Sequence, residues 1–131
     1  MGNRLLVGMA LTLLIGNAYA DTGTCPHHAT VKQSARDGGG FSYSAPGPNG
    51  RMWEGENEYA AQNYLDTIQF KNAAYKSDTG AVICSYEGQG EAAVRLALKP
   101  VKSWKAAAGT SWSGQQCTAL DISKCSFEYA P

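Results

Sequence analysis

The sequence predicts a mostly β, single-domain fold: a small antiparallel sandwich or open barrel held by two disulfides, with room for one short helix. Three observations carry that expectation. One segment alternates strictly as a half-buried strand, no run of ten or more residues holds a helical period, and four cysteines follow an export signal.

The export signal comes first in the chain. Arg4 supplies a positive start, Leu5 to Ile15 is apolar, and Ala18-Tyr19-Ala20 reads as a small-residue cleavage site. Eleven apolar residues are too few to cross a hydrocarbon layer of about 30 Å, so residues 1–20 are expected to be a signal peptide, with no membrane span. Residues 21–131 then form one β-rich domain, and its expected location is periplasmic or secreted. The chain of 131 residues has 11 basic and 11 acidic side chains, with the basic ones scattered rather than striped. No phosphate-neutralising footprint results, which excludes nucleic acid as the expected partner.

Beyond residue 20 only 18 residues are Val, Ile, Leu, Met, Phe or Trp, joined by six Tyr. So thin a core must offset an ordering entropy of order 100 kcal/mol, and cross-links lighten that demand. Cys25, Cys84, Cys117 and Cys125 are even in number and exported, which reads as two disulfides. Cys117 with Cys125 and Cys25 with Cys84 is the preferred pairing. Cys84 with Cys117 and Cys25 with Cys125 is the rival. Without a C-x-x-C pair, a metal site is not expected.

The clearest element is a hairpin. Residues 81–86 lead into the turn Glu87 to Glu91, and residues 92–99 return with Val94, Leu96 and Leu98 on one face and Arg95 and Lys99 on the other. Pro100 ends it. Thr67 to Phe70 reads as a further strand before the turn signal 77–80. Residues 58–65 are ambiguous, since Asn57 could cap a short helix there. Lys102 to Lys105, Thr110 to Trp112 and Ser126 to Tyr129 complete the strand pieces. Residues 37–53, rich in Gly and Pro, read as a long loop or a short strand between two turns. Their three consecutive glycines lack the spacing of a phosphate cradle.

Cys25-Pro26, Trp53-Glu54-Gly55, Cys84-Ser85-Tyr86-Glu87-Gly88, and Cys117 followed by Cys125-Ser126-Phe127 occur in an order that resembles a bacterial exported family of unknown function. That family shows a CP start, a W-x-G, a C-x-Y-x-G strand and a C…C-P-F end. This chain differs in having Ser126 where the family usually has Pro. The resemblance implies an exported β fold and brings no catalytic residue with it.

Chemistry is scarce. His27 and His28 are the only imidazoles, so any Ser/His/Asp or Cys/His catalysis must pass through one of them. Neighbours on a strand point to opposite faces, which disfavours joint metal binding. Glu54, Glu56 and Glu58 would share one strand face and could form a carboxylate dyad or a solvated edge. Trp53, Trp104 and Trp112 could stack on sugars or fill the core.

The expected function is therefore binding without catalysis and without a cofactor: an exported inhibitor or immunity protein whose partner is another exported protein, a toxin or a cell-wall enzyme. A carbohydrate-binding module and a small hydrolase are the alternatives. Expected contact residues lie in loop 37–53 (Tyr43, Arg51, Trp53) and in the hairpin turn (Glu87, Gln89).

Overall fold

The computed structural model describes residues 20–131; the expected signal peptide lies outside the described residues, apart from Ala20. Alternation places apolar side chains on one side of each strand, and the strands pair so that those sides coincide. Eleven strands result: β1 (Asp21–Gly23), β2 (Lys32–Ala35), β3 (Phe41–Pro46), β4 (Met52–Asn57), β5 (Gln69–Lys76), β6 (Ala81–Glu87), β7 (Ala93–Leu98), β8 (Lys102–Ala106), β9 (Trp112–Ser113), β10 (Gln116–Thr118) and β11 (Phe127–Ala130). They form two open antiparallel sheets. The larger has the order β2-β3-β4-β7-β6-β5-β10-β9 and the smaller β1-β11-β8.

The predicted hairpin is the centre of the large sheet. Val82 faces Leu98, Cys84 faces Leu96, and Tyr86 faces Val94, all buried on one side. Ile83, Ser85, Arg95 and Ala97 line the other side. On the neighbouring strand Phe70 meets Tyr86 edge-on, and Ala73 lies opposite Cys84. Phe127 and Tyr129 of β11 add to the same buried cluster from the small sheet.

Both disulfides take the preferred pairing, Cys25 with Cys84 and Cys117 with Cys125. The first is reinforced two residues further along β6, where the Tyr86 hydroxyl donates to the buried Pro26 carbonyl. The N-terminal segment is thus held on the central strand at two successive inward positions. Gly88 ends this grip because a Cβ there would strike Thr67 and Ala92. Gly55 has a related role on β4: a Cβ would run into the Arg95 carbonyl oxygen, so a bare backbone lets β4 close onto β7 while Trp53 fills the core. Ser126 has φ −68°, and its backbone N–H donates to the Ser123 carbonyl, a bond that a proline at this position would not make.

Two open readings are decided and one expected strand is redrawn. Of the two readings of residues 37–53, the strand between two turns is the one found: β3 and the start of β4 run through them, the glycines and Pro48 lie in the turns, and Pro46 ends β3. The inward sequence Tyr43, Ala45, Trp53 gives that hairpin its buried face. The strand expected at residues 67–70 runs instead to Lys76. A bulge between Phe70 and Asn72 shifts the alternation there, which hides the strand from a period-two reading. Residues 58–65 form turns and the start of the 3₁₀ turn Tyr64–Asp66, with Asn57 Oδ1 accepting from Tyr59 N at 2.9 Å rather than capping a helix.

Burial pushes the Tyr86 phenol well above its ordinary value of 10.0. The folded state therefore keeps a proton that the unfolded chain releases, so the stability tied to Tyr86 is complete below pH 10.0 and falls as pH rises beyond it. Urea titrations of Tyr86→Phe should show a loss of about 1–2 kcal/mol at neutral pH, from the stranded Pro26 carbonyl. Above pH 10.0 the variant should lose less further stability than the parent.

Candidate functional site

Strand directions sort the connections onto two ends of the large sheet. At one end, called here the loop end, lie the β2–β3 turn, residues 58–68 and the β6–β7 turn. They are tied together: Asn57 Nδ2 donates to the Ala93 carbonyl at 3.0 Å, Gln89 N donates to Thr67 Oγ1 at 3.2 Å, and Arg36 pairs with Glu56 at 3.3 Å. At the far end the β3–β4 turn is fastened to the small sheet. Asn49 Nδ2 donates to Asp21 at 2.8 Å and to the Tyr129 hydroxyl at 3.2 Å.

The five expected contact residues do not converge. Tyr43 and Trp53 are only 2% and 1% exposed, packed on the inner face of β3 and β4, which removes them from any contact surface. Burial, with the neighbouring Tyr64, raises the Tyr43 phenol pKa. Arg51 is half-buried at the far end, close enough to Tyr129 to draw its phenol pKa downward against a net upward shift from burial. Glu87 and Gln89 alone are exposed at the loop end, about 20 Å away along six-residue strands.

Two concavities open beside Glu87 and Gln89. The grip on Cys25 and Pro26 delivers the next residues, His27 and His28, to the loop end at the start of the 3₁₀ turn His28–Thr30. His27 Nδ1 accepts from Ala29 N at 3.1 Å, and the two imidazoles stack at 4.3 Å. A turn rather than a strand makes this stacking possible. On one side a concavity of about 260 Å³ lies between the histidines and Phe70, Leu120 and Ile122. On the other side one of about 530 Å³ is bordered by Asp66, Lys71, Glu87 and Gln89. His28 and Gln69 border both, which makes one open trough. Its far wall is set by Asp121, which caps the 3₁₀ turn Ile122–Cys125. Hydrogen bonds from Ser123 hold the Asp121 carboxyl below its ordinary range.

Among the described residues no hydrogen bond joins either imidazole to a carboxylate, and no three His, Cys, Asp or Glu side chains group as a metal site. Sequence reasoning placed His27 and His28 next to a disulfide but had no signal for what they border, since Phe70, Leu120 and Asp66 reach them only through the fold.

The glutamate row divides. Glu54 and Glu56 face outward on β4 over a shallow groove of about 580 Å³ with a floor of Ser42, Ser44 and Ala97, whereas Glu58 lies beyond the strand. Trp104 is sandwiched at the seam of the sheets. It stacks on Tyr75 at 4.8 Å and meets the edge of Trp112 at 4.8 Å, and Trp112 Nε1 donates to the Ser126 carbonyl at 2.9 Å.

A family model described as "Protein of unknown function (DUF3757)" matches residues 18–128. No curated protein and no solved structure matches the chain.

Because Trp53 is buried and the rings of Trp104 and Trp112 already face other aromatics, muropeptides and chitin fragments should leave the tryptophan emission spectrum unshifted. A saturable shift on titration with either would show a tryptophan free to stack on sugar.

Proposed function

The chain belongs to the DUF3757 family, and we propose that its function resides at the loop end, as an exported protein-binding module without catalysis. It would serve as an inhibitor or immunity protein against an exported toxin or cell-wall hydrolase. The two disulfides fit an oxidising compartment, periplasmic or extracellular.

One observation carries the reading: Tyr59 and Leu120 are 83% and 75% exposed, and both stand at the loop end. They flank the trough and the Glu87–Gln89 turn. Four strand spacings separate them, about 20 Å, which suits one face of a standard protein interface. Both sit on fastened backbone. Tyr59 follows the Asn57 turn and precedes the buried Ala60; Leu120 lies inside the Cys117–Cys125 staple, directly before the Asp121 cap. Side chains presented on rigid turns lose little freedom on binding, and exposed tyrosines are frequent binding hot spots.

The test is capture from the native envelope and culture medium by the purified, oxidised protein. It is expected to retain a protein partner, and Tyr59→Ala with Leu120→Ala should weaken that complex by about 10- to 100-fold while thermal stability holds. Retention of glycan alone, or full retention by the double variant, would overturn the reading.

A further inference from the structure

The charges of this chain nearly cancel in number but not in place. Asp37, Glu56, Glu58, Asp66, Glu87 and Glu91 stand at the loop end with Arg36 and Arg95, while Lys32, Arg51, Lys76, Lys99 and Lys102 stand at the far end with Asp21 and Asp78, which leaves an excess of acid at the first and of base at the second. The scattering seen along the sequence is thus an effect of chain order. Successive turns alternate between the two ends of the sheet, so acidic and basic stretches that interleave along the chain are partly sorted in space, with the acidic excess at the loop end.

Resting on the protein-binding reading above, we propose that the partner's contact surface is cationic and that one of its Lys or Arg side chains occupies the larger concavity, between Asp66 and Glu87. Three features of that concavity agree. Its volume of about 530 Å³ exceeds what one long side chain fills, and two carboxylates border it, Asp66 from the 3₁₀ turn before β5 and Glu87 from the end of β6. The His28 imidazole forms a wall against which a guanidinium or an aliphatic stem can lie flat. Lys71 is the single cation on its border. The exposed Tyr59 and Leu120 on either side supply the apolar contact that a purely ionic encounter lacks. Such a division is physically economical: opposite charge steers the approach, and the apolar anchors hold the docked complex.

The probe is deca-L-lysine, with deca-L-glutamate as control, followed by amide chemical shifts of the full oxidised protein. Deca-L-lysine is expected to move resonances of His28, Asp66, Gln69, Glu87 and Gln89 together. Asp66→Asn with Glu87→Gln should raise its dissociation constant by about tenfold or more, whereas Glu54→Gln on the outer face should leave it unchanged. Shifts spread over all carboxylates, no shifts at the loop end, or equal effects of the Glu54 variant would overturn the proposal. So would a captured partner that is acidic yet lost with Tyr59→Ala and Leu120→Ala, a result that leaves the binding reading standing. A salt-sensitive dimer abolished by Lys99→Glu would assign the acidic end to a second copy of the chain and also overturn it.

Discussion

The attachment of Cys25-Pro26 to strand β6 is the constraint on which the rest of the structure depends. Cys84 and Tyr86 project inward two residues apart, one binding the chain covalently and the other through its hydroxyl to the Pro26 carbonyl. The disulfide spans 59 residues and encloses β2 to β5 within one covalent loop. In chain-entropy terms such a closure removes about 4 kcal/mol of unfolded-state freedom, a large share of the net stability of so small a domain. The same attachment aims His27 and His28 at the loop end, which is how a structural staple comes to border the trough.

The residues of the short motifs follow from this constraint. Cys25, Pro26, Cys84 and Tyr86 make the grip, Gly88 permits the turn after it, and Trp53 with Gly55 lets the neighbouring strand fill and close the core. Cys117 and Cys125 staple the 3₁₀ turn that leads into β11. All of them are scaffold.

Much of this was legible in the sequence, for physical reasons that also explain what was not. The β6–β7 hairpin could be read because its second arm keeps an unbroken period of two. β5 could not be read past Phe70, because the bulge at Lys71 breaks that period. For residues 37–53 the Gly and Pro content leaves a long loop and a short strand between two turns both open, and three inward positions decide for the strand. The same ambiguity bears on two expected contact residues: an aromatic among glycines can be an exposed anchor or an inward strand residue, and Tyr43 and Trp53 are the latter. Tyr59 and Leu120 carried no distinguishing pattern, since their exposure arises from neighbours that take the core positions, Ala60 beside one and Cys117 and Cys125 around the other. The separation of charge between the two ends is a property of topology and has no trace in composition.

Amide hydrogen exchange on Cys25→Ser with Cys84→Ser, compared with the parent under native conditions, tests the central claim most directly. If the attachment organises both sheet and site, residues 25–31 and β6 lose protection together with the trough borders at 66–71 and 87–91. The β9–β11 region, held by Cys117–Cys125, keeps its protection. Loss confined to residues 25–31, with β6 and the loop end protected as before, would contradict the account.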